Sequence, residues 1–162
     1  MIEKARRSRY CSRALVLLAA AWLLAGCSDE PDPSMAPGQA EYVKYCATCH
    51  GRDGSGKPPT FPPLAASEWL ADGPEPVALI VLLGLKGEIE VAGQTYRGYM
   101  PGMRQIADPE LAALLGYVGR EWGGWSSTPS TERIAELRAL TEGVDMLIGR
   151  EGLDAARGEL LE

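Results

Sequence analysis

Cys46-Ala47-Thr48-Cys49-His50 holds the densest chemistry in this 162-residue chain. Two thiols three residues apart, followed directly by an imidazole, suit a redox dithiol, a metal knuckle, a disulfide or the covalent capture of haem. The surroundings discriminate. A thioredoxin-like dithiol needs a strand–helix–strand setting, which the flanking pattern lacks. A zinc site needs further Cys or His, yet His50 is the single histidine, and Cys11 and Cys27 fall in what reads as a targeting segment. A plain disulfide is disfavoured at so short a separation. The motif therefore reads as haem attachment, with Cys46 and Cys49 meeting the two vinyl groups and His50 reaching the iron.

The chain begins with Lys4, Arg6, Arg7, Arg9 and Arg13, then runs without a charge from Ala14 to Ala25. Twelve apolar residues are too few to cross about 30 Å of hydrocarbon as a helix, and the flanks are those of a secretory signal over residues 1–26. Leu24-Ala25-Gly26-Cys27 resembles the lipobox of bacterial lipoproteins, which makes Cys27 the expected lipidation site. Several acyl chains there satisfy the two-signal requirement for stable anchoring. Ser28, where an aspartate favours inner-membrane retention in the enterobacterial scheme, points to the outer membrane. The expected location is the bacterial cell envelope, extracytoplasmic and facing the periplasm.

The whole chain carries a net −6. Residues 1–26 hold five Lys/Arg and one Glu, so the chain from Cys27 carries −10. So acidic a body argues against nucleic acid as a partner and favours a redox protein with a basic docking surface. A hydrophobic content of 46% fits a globular body, while 12 Pro and 19 Gly imply long irregular loops between a few helices.

The elements that position the motif can be read around it. Residues 27–36 form a polar, Pro-rich tether, and residues 37–125 the body. Gly38 to Thr48 suits a helix, with Tyr42 and Cys46 at i,i+4 spacing. Residues 51–66, with their Gly and Pro, read as an irregular loop. Ser67 caps a short helix to Leu70. Pro74 opens a helix that is apolar from Val77 to Leu83 and stops at Gly84. Residues 85–107 read as a loop with room for a small hairpin at Glu90–Tyr96. Asp108 caps a last body helix bearing Leu111, Leu114, Leu115, Val118 and Trp122 on one face. Residues 126–162 form a C-terminal extension, helical from Thr131 through Leu140 and then acidic, Gly-broken and of modest order.

Gly38-xxx-Tyr42-xxx-Cys46, Cys49-His50-Gly51-Arg52-Asp53-Gly54-Ser55-Gly56 and Gly98-Tyr99-Met100-Pro101-Gly102 together resemble the class I cytochromes c. The likeness runs over roughly residues 36–125. It implies an all-α fold, three to four helices wrapped around one covalent haem c, with Gly38 and Tyr42 meeting Leu114 and Tyr117. It also agrees with the export signal, since this family acquires haem outside the cytoplasm. With His exhausted, bis-His ligation within the chain is excluded, and the mature methionines are Met35, Met100, Met103 and Met146. The family places its distal thioether on the loop before the last helix, usually in a Met-Pro pair, which selects Met100 with Met103 as second choice. The resemblance further implies that the Pro62 carbonyl holds the other ring nitrogen of His50 and that Leu64 packs on the haem. Trp69, Tyr96 and Arg97 read equally well as propionate contacts or as ordinary residues.

The expected function is single-electron transfer, without enzymatic activity, between redox proteins such as a quinoprotein dehydrogenase and a terminal reductase or oxidase. The alternative is a haem enzyme or gas-binding sensor with a labile or absent sixth ligand. It lacks a distal histidine for acid–base help. The extension is a candidate docking element.

Overall fold

The computed structural model describes residues 34–161. The expected signal segment 1–26 with Cys11, the expected lipidation site Cys27 and most of the expected tether lie outside the described residues. Helices α1 (Gln39–Tyr45) and α2 (Ala47–His50) are followed by a 3-10 turn at Glu68–Asp72 and by α3 (Pro74–Leu83). Strands β1 (Gly84–Val91) and β2 (Gln94–Pro101) precede α4 (Asp108–Val118), which ends in a π-turn at Gly119–Gly123. The remainder is α5 (Thr131–Leu140), β3 (Leu147–Ile148) and α6 (Gly149–Leu160).

α1 crosses α4 at a point that admits only glycine. A Cβ on Gly38, whose φ is 81°, would lie 1.9 Å from the Ala113 carbonyl oxygen and 3.0 Å from Tyr117 Cβ. Beside that contact Tyr42, Tyr117 and Trp122 form an aromatic cluster with centroids 5.1–5.7 Å apart. Such pairs add about 0.5–1.5 kcal/mol beyond their area. Lys44 and Tyr45 both bond the Glu110 carboxylate, at 2.9 and 3.0 Å, and Glu110 also takes the Ala107 N–H at 3.3 Å. Ala107, one residue before Asp108, is thus the cap position.

α3 is apolar on every side, and every residue from Pro76 to Leu83 is buried, as expected of a helix enclosed on all faces. Val77, Ala78, Val81 and Leu82 face the core shared with α1 and α4, and Leu79, Ile80 and Leu83 face a second core against β1.

The all-α expectation is corrected by the sheet. The small hairpin expected at Glu90–Tyr96 within the loop 85–107 extends much further: residues 84–101 pair as two eight-residue antiparallel strands joined at Ala92-Gly93. Both turn residues have positive φ, 51° and 74°, the type I′ geometry that matches strand twist. Leu85 and Val91 are buried, whereas Lys86, Gly87 and Glu88 between them are exposed. The described residues are about half helical, with a small sheet in the order β2-β1-β3.

The extension is not loosely ordered, as its glycines led us to expect. Ile134 and Leu137 are fully buried in the first core and Leu153 in the second. Ser130 caps α5 by accepting the Arg133 N–H at 3.3 Å. β3 pairs in parallel with β1, Leu147 opposite Leu85. Arg150 and Arg157 of α6 both reach Asp72 at the end of the 3-10 turn, at 2.6 and 3.1 Å.

Candidate functional site

Cys46 ends α1 and His50 closes α2, so the whole motif occupies one tight double turn. Cys46 N bonds Tyr42 O at 2.8 Å, while Cys49 N and His50 N both return to Cys46 O at 3.1 and 3.0 Å. Both thiols are free rather than bridged, Cys46 buried and Cys49 partly exposed. Burial, with Cys49 beside it, pushes the Cys46 thiol up to about 12. Behind the motif, the fully buried Tyr42 donates its hydroxyl to Gly51 O at 2.6 Å, which fixes the chain as it leaves His50.

The loop after the motif folds back onto the imidazole. Gly56 N bonds His50 O at 2.8 Å, and Lys57 and Phe61 exchange backbone bonds at 2.9 and 3.0 Å. Gly56, with φ 70°, is the closest approach. A Cβ there would lie 2.6 Å from Phe61 O and 2.7 Å from the Pro62 carbonyl carbon. The outcome is a 2.9 Å contact between His50 Nδ1 and Pro62 O. A carbonyl accepts only, so Nδ1 carries the proton and Nε2 keeps its lone pair for a metal. Burial lowers the His50 pKa, against the opposing pull of the Pro62 carbonyl, which favours the neutral, ligating imidazole.

Opposite stands the hairpin. Two adjoining cavities, of about 770 and 700 Å³ with open solvent at their mouths included, share Cys46, His50, Pro62, Leu85, Ile89 and Met100 in their linings. Through those shared residues they form one slot, lined mainly by apolar side chains. Met100 borders both lobes and Met103 only the first, and Leu64 lines the second. Tyr96, 3% exposed, lines the first lobe. Trp69 lines the second and donates to Glu90 O at 2.8 Å. Arg97 pairs with Glu88 at 2.6 Å, both side chains largely exposed. The wall residues Leu85 and Ile89 went unremarked in the sequence reading. Their period-2 spacing in Leu85-Lys86-Gly87-Glu88-Ile89-Glu90-Val91 is the signal that marks them.

Among the described residues no group of three or more His, Cys, Asp and Glu gathers to hold a metal ion. Two unbridged thiols, one oriented imidazole and an apolar slot instead suit a flat prosthetic group that brings most of its own metal ligands.

Comparison with known proteins agrees. The family model described as cytochrome C oxidase, cbb3-type, subunit III, matches residues 33–118, and cytochrome c-552 of Thermus thermophilus is 38% identical over 109 residues, 62% of this chain and 83% of that protein. The chain is a class I c-type cytochrome. As such it binds haem c covalently, with iron. The cytochrome is also similar to the cytochrome c subunit of the quinone alcohol dehydrogenase of Gluconacetobacter polyoxogenes, at 28% identity over 65% of this chain and 22% of that subunit. The FixPc subunit of the cbb3-type oxidase of Rhizobium leguminosarum bv. viciae is 30% identical over 64% of this chain and 34% of that subunit. The cytochrome therefore spans only a minor part of those two subunits. Among its described residues no helix is long and apolar enough to cross a membrane.

Proposed function

We propose that this cytochrome is a single-electron carrier whose iron is held by His50 and Met100, not an enzyme or a gas sensor. When bound, the haem supplies a one-electron ferric–ferrous couple. Cys46 and Cys49 hold it through thioethers, Pro62 O orients the His50 ring, and Leu64 lines the slot. The observation that carries the reading is that His50 and Met100 both border both lobes of the slot. Met103, the second choice, borders one. A thioether opposite an imidazole favours ferrous iron and a higher potential than a second imidazole would give.

The slot's first lobe is lined by Lys86 and by Tyr99, which is 65% exposed, and here a partner can approach. Relatives named as subunits of a quinone alcohol dehydrogenase and a cbb3-type oxidase support a quinoprotein dehydrogenase as donor and a terminal oxidase as acceptor. A lipid on Cys27 would confine the carrier to the cell envelope, facing the periplasm. The signal and tether, residues 1–36, and the body, 37–125, belong to the same proposal.

Carbon monoxide tests the ligation. The reduced holoprotein is expected to leave its spectrum unchanged under the gas, and Met100→Ala to bind it. Ready binding by the wild type would point to the enzyme or sensor reading. For the anchor, Cys27→Ser is expected to move the cytochrome from the membrane to the soluble fraction.

A further inference from the structure

The segment between β2 and α4, Gly102–Ala107, follows directly on Met100-Pro101 and has no regular structure. Backbone groups in such a segment need partners from elsewhere. Arg138 of α5 supplies them. Its guanidinium donates to Arg104 O and to Ile106 O, each at 2.6 Å, and its Nε donates to Asp108 Oδ1 at 2.8 Å. Arg104 in turn reaches back to Thr141, donating to its Oγ1 at 3.1 Å and its carbonyl at 2.7 Å. Thr141 is fully buried, and its hydroxyl donates to Arg138 O at 2.8 Å. Two arginines thus lock the segment and the end of α5 together in both directions.

The other side of Met100 is held by the same extension. Met100 pairs with Leu85 of β1, and Leu85 pairs with Leu147 of β3. Close backbone approach completes the grip. Met103 N bonds Val81 O at 2.7 Å, and a Cβ on Gly84 would meet Met100 O at 2.7 Å.

We propose that residues 126–161 act as a clamp on the distal ligand, with Arg138 and Arg104 as positioning residues that keep Met100 at the iron. The inference rests on Met100 being that ligand. A planar guanidinium serving three oxygens has no equivalent in lysine, which offers one point of charge. A second ion pair of α5, Arg133 with Glu75 at 2.8 Å, attaches the extension to α3 instead and provides an internal comparison.

The test uses the full-length holoprotein and the long-wavelength absorption band of sulfur-ligated ferric haem, followed as pH is raised until the band is lost. Arg138→Gln is expected to make loss of the thioether roughly tenfold easier, which lowers the midpoint by about one pH unit. Arg138→Lys is expected to recover little of this, and Arg133→Gln to leave the midpoint in place. If Arg138→Gln fails to accumulate, Arg104→Gln is expected to shift the midpoint in the same direction. Equal midpoints in wild type, Arg138→Gln and Arg104→Gln would overturn the clamp and leave Met100 as ligand. So would an equal shift in Arg133→Gln, which would mark the effect as general loosening. A wild type without the band would overturn the ligation and the clamp together.

Discussion

The His50 ring faces the Pro62 carbonyl across 2.9 Å, although the two lie twelve positions apart along a glycine- and proline-rich stretch. This contact decides which imidazole nitrogen is free. It depends on the loop passing close behind Gly56, where there is no room for a side chain.

Gly56→Ala therefore strains a backbone at φ 70° and pushes a methyl into the Pro62 carbonyl. The expected loss is about 1–3 kcal/mol of stability, read from denaturant unfolding of the holoprotein, with less haem attached per chain by intact mass.

The slot has a bare stretch of wall at Gly98, where an added Cβ would find only Thr60 O, at 3.9 Å. Gly98→Leu is expected to fill that space and to cut haem attachment severalfold. Gly158→Ala, in α6 with nothing within 4 Å of an added Cβ, is expected to leave it near normal. Intact mass reports both.

Leu137 is fully buried and belongs to the same core as Tyr42 and Leu111. Leu137→Ala is accordingly expected to lower stability by about 2–4 kcal/mol, measured by denaturant unfolding. An independent appendage would give a change of under about 0.5 kcal/mol.

The α3–α5 ion pair supplies a pH dependence. The bond to Arg133 holds the Glu75 carboxyl below the usual carboxylate range, with burial opposing it. A depressed carboxylate contributes stability above its unfolded pKa, near 4.3, and loses it as pH falls through the folded value. Both partners are about a third exposed, so the contribution is under about 1 kcal/mol. Glu75→Gln is expected to flatten the acid limb of stability against pH below about pH 5 and to leave its shape near neutrality unchanged.

The attachment motif was legible because its chemistry is contiguous: Cys46, Cys49 and His50 share one double turn, whereas Pro62 was expected only through the family resemblance. Helix α3 was equally plain between Pro74 and Gly84. The distal wall was not. Gly84, Gly87, Gly93, Gly98 and Gly102 lower strand propensity, and the alternation of Leu85, Ile89 and Val91 counts only once there is a slot to face. In the extension, Gly149, Gly152 and Gly158 hide a helix whose Leu153 and Ala156 become meaningful when β1 and α3 cover them. Arg138 and Arg104 carry no local signal of their role, since nothing near them in sequence says that a distant loop's carbonyls will need them.

Identification of the sixth ligand tests the central claim most directly. Proton NMR of the reduced holoprotein should show a thioether methyl strongly displaced by the porphyrin ring current. The expected result is that this resonance persists in Met103→Ala and vanishes in Met100→Ala. Its persistence in Met100→Ala, or its absence from the wild type, would contradict the account.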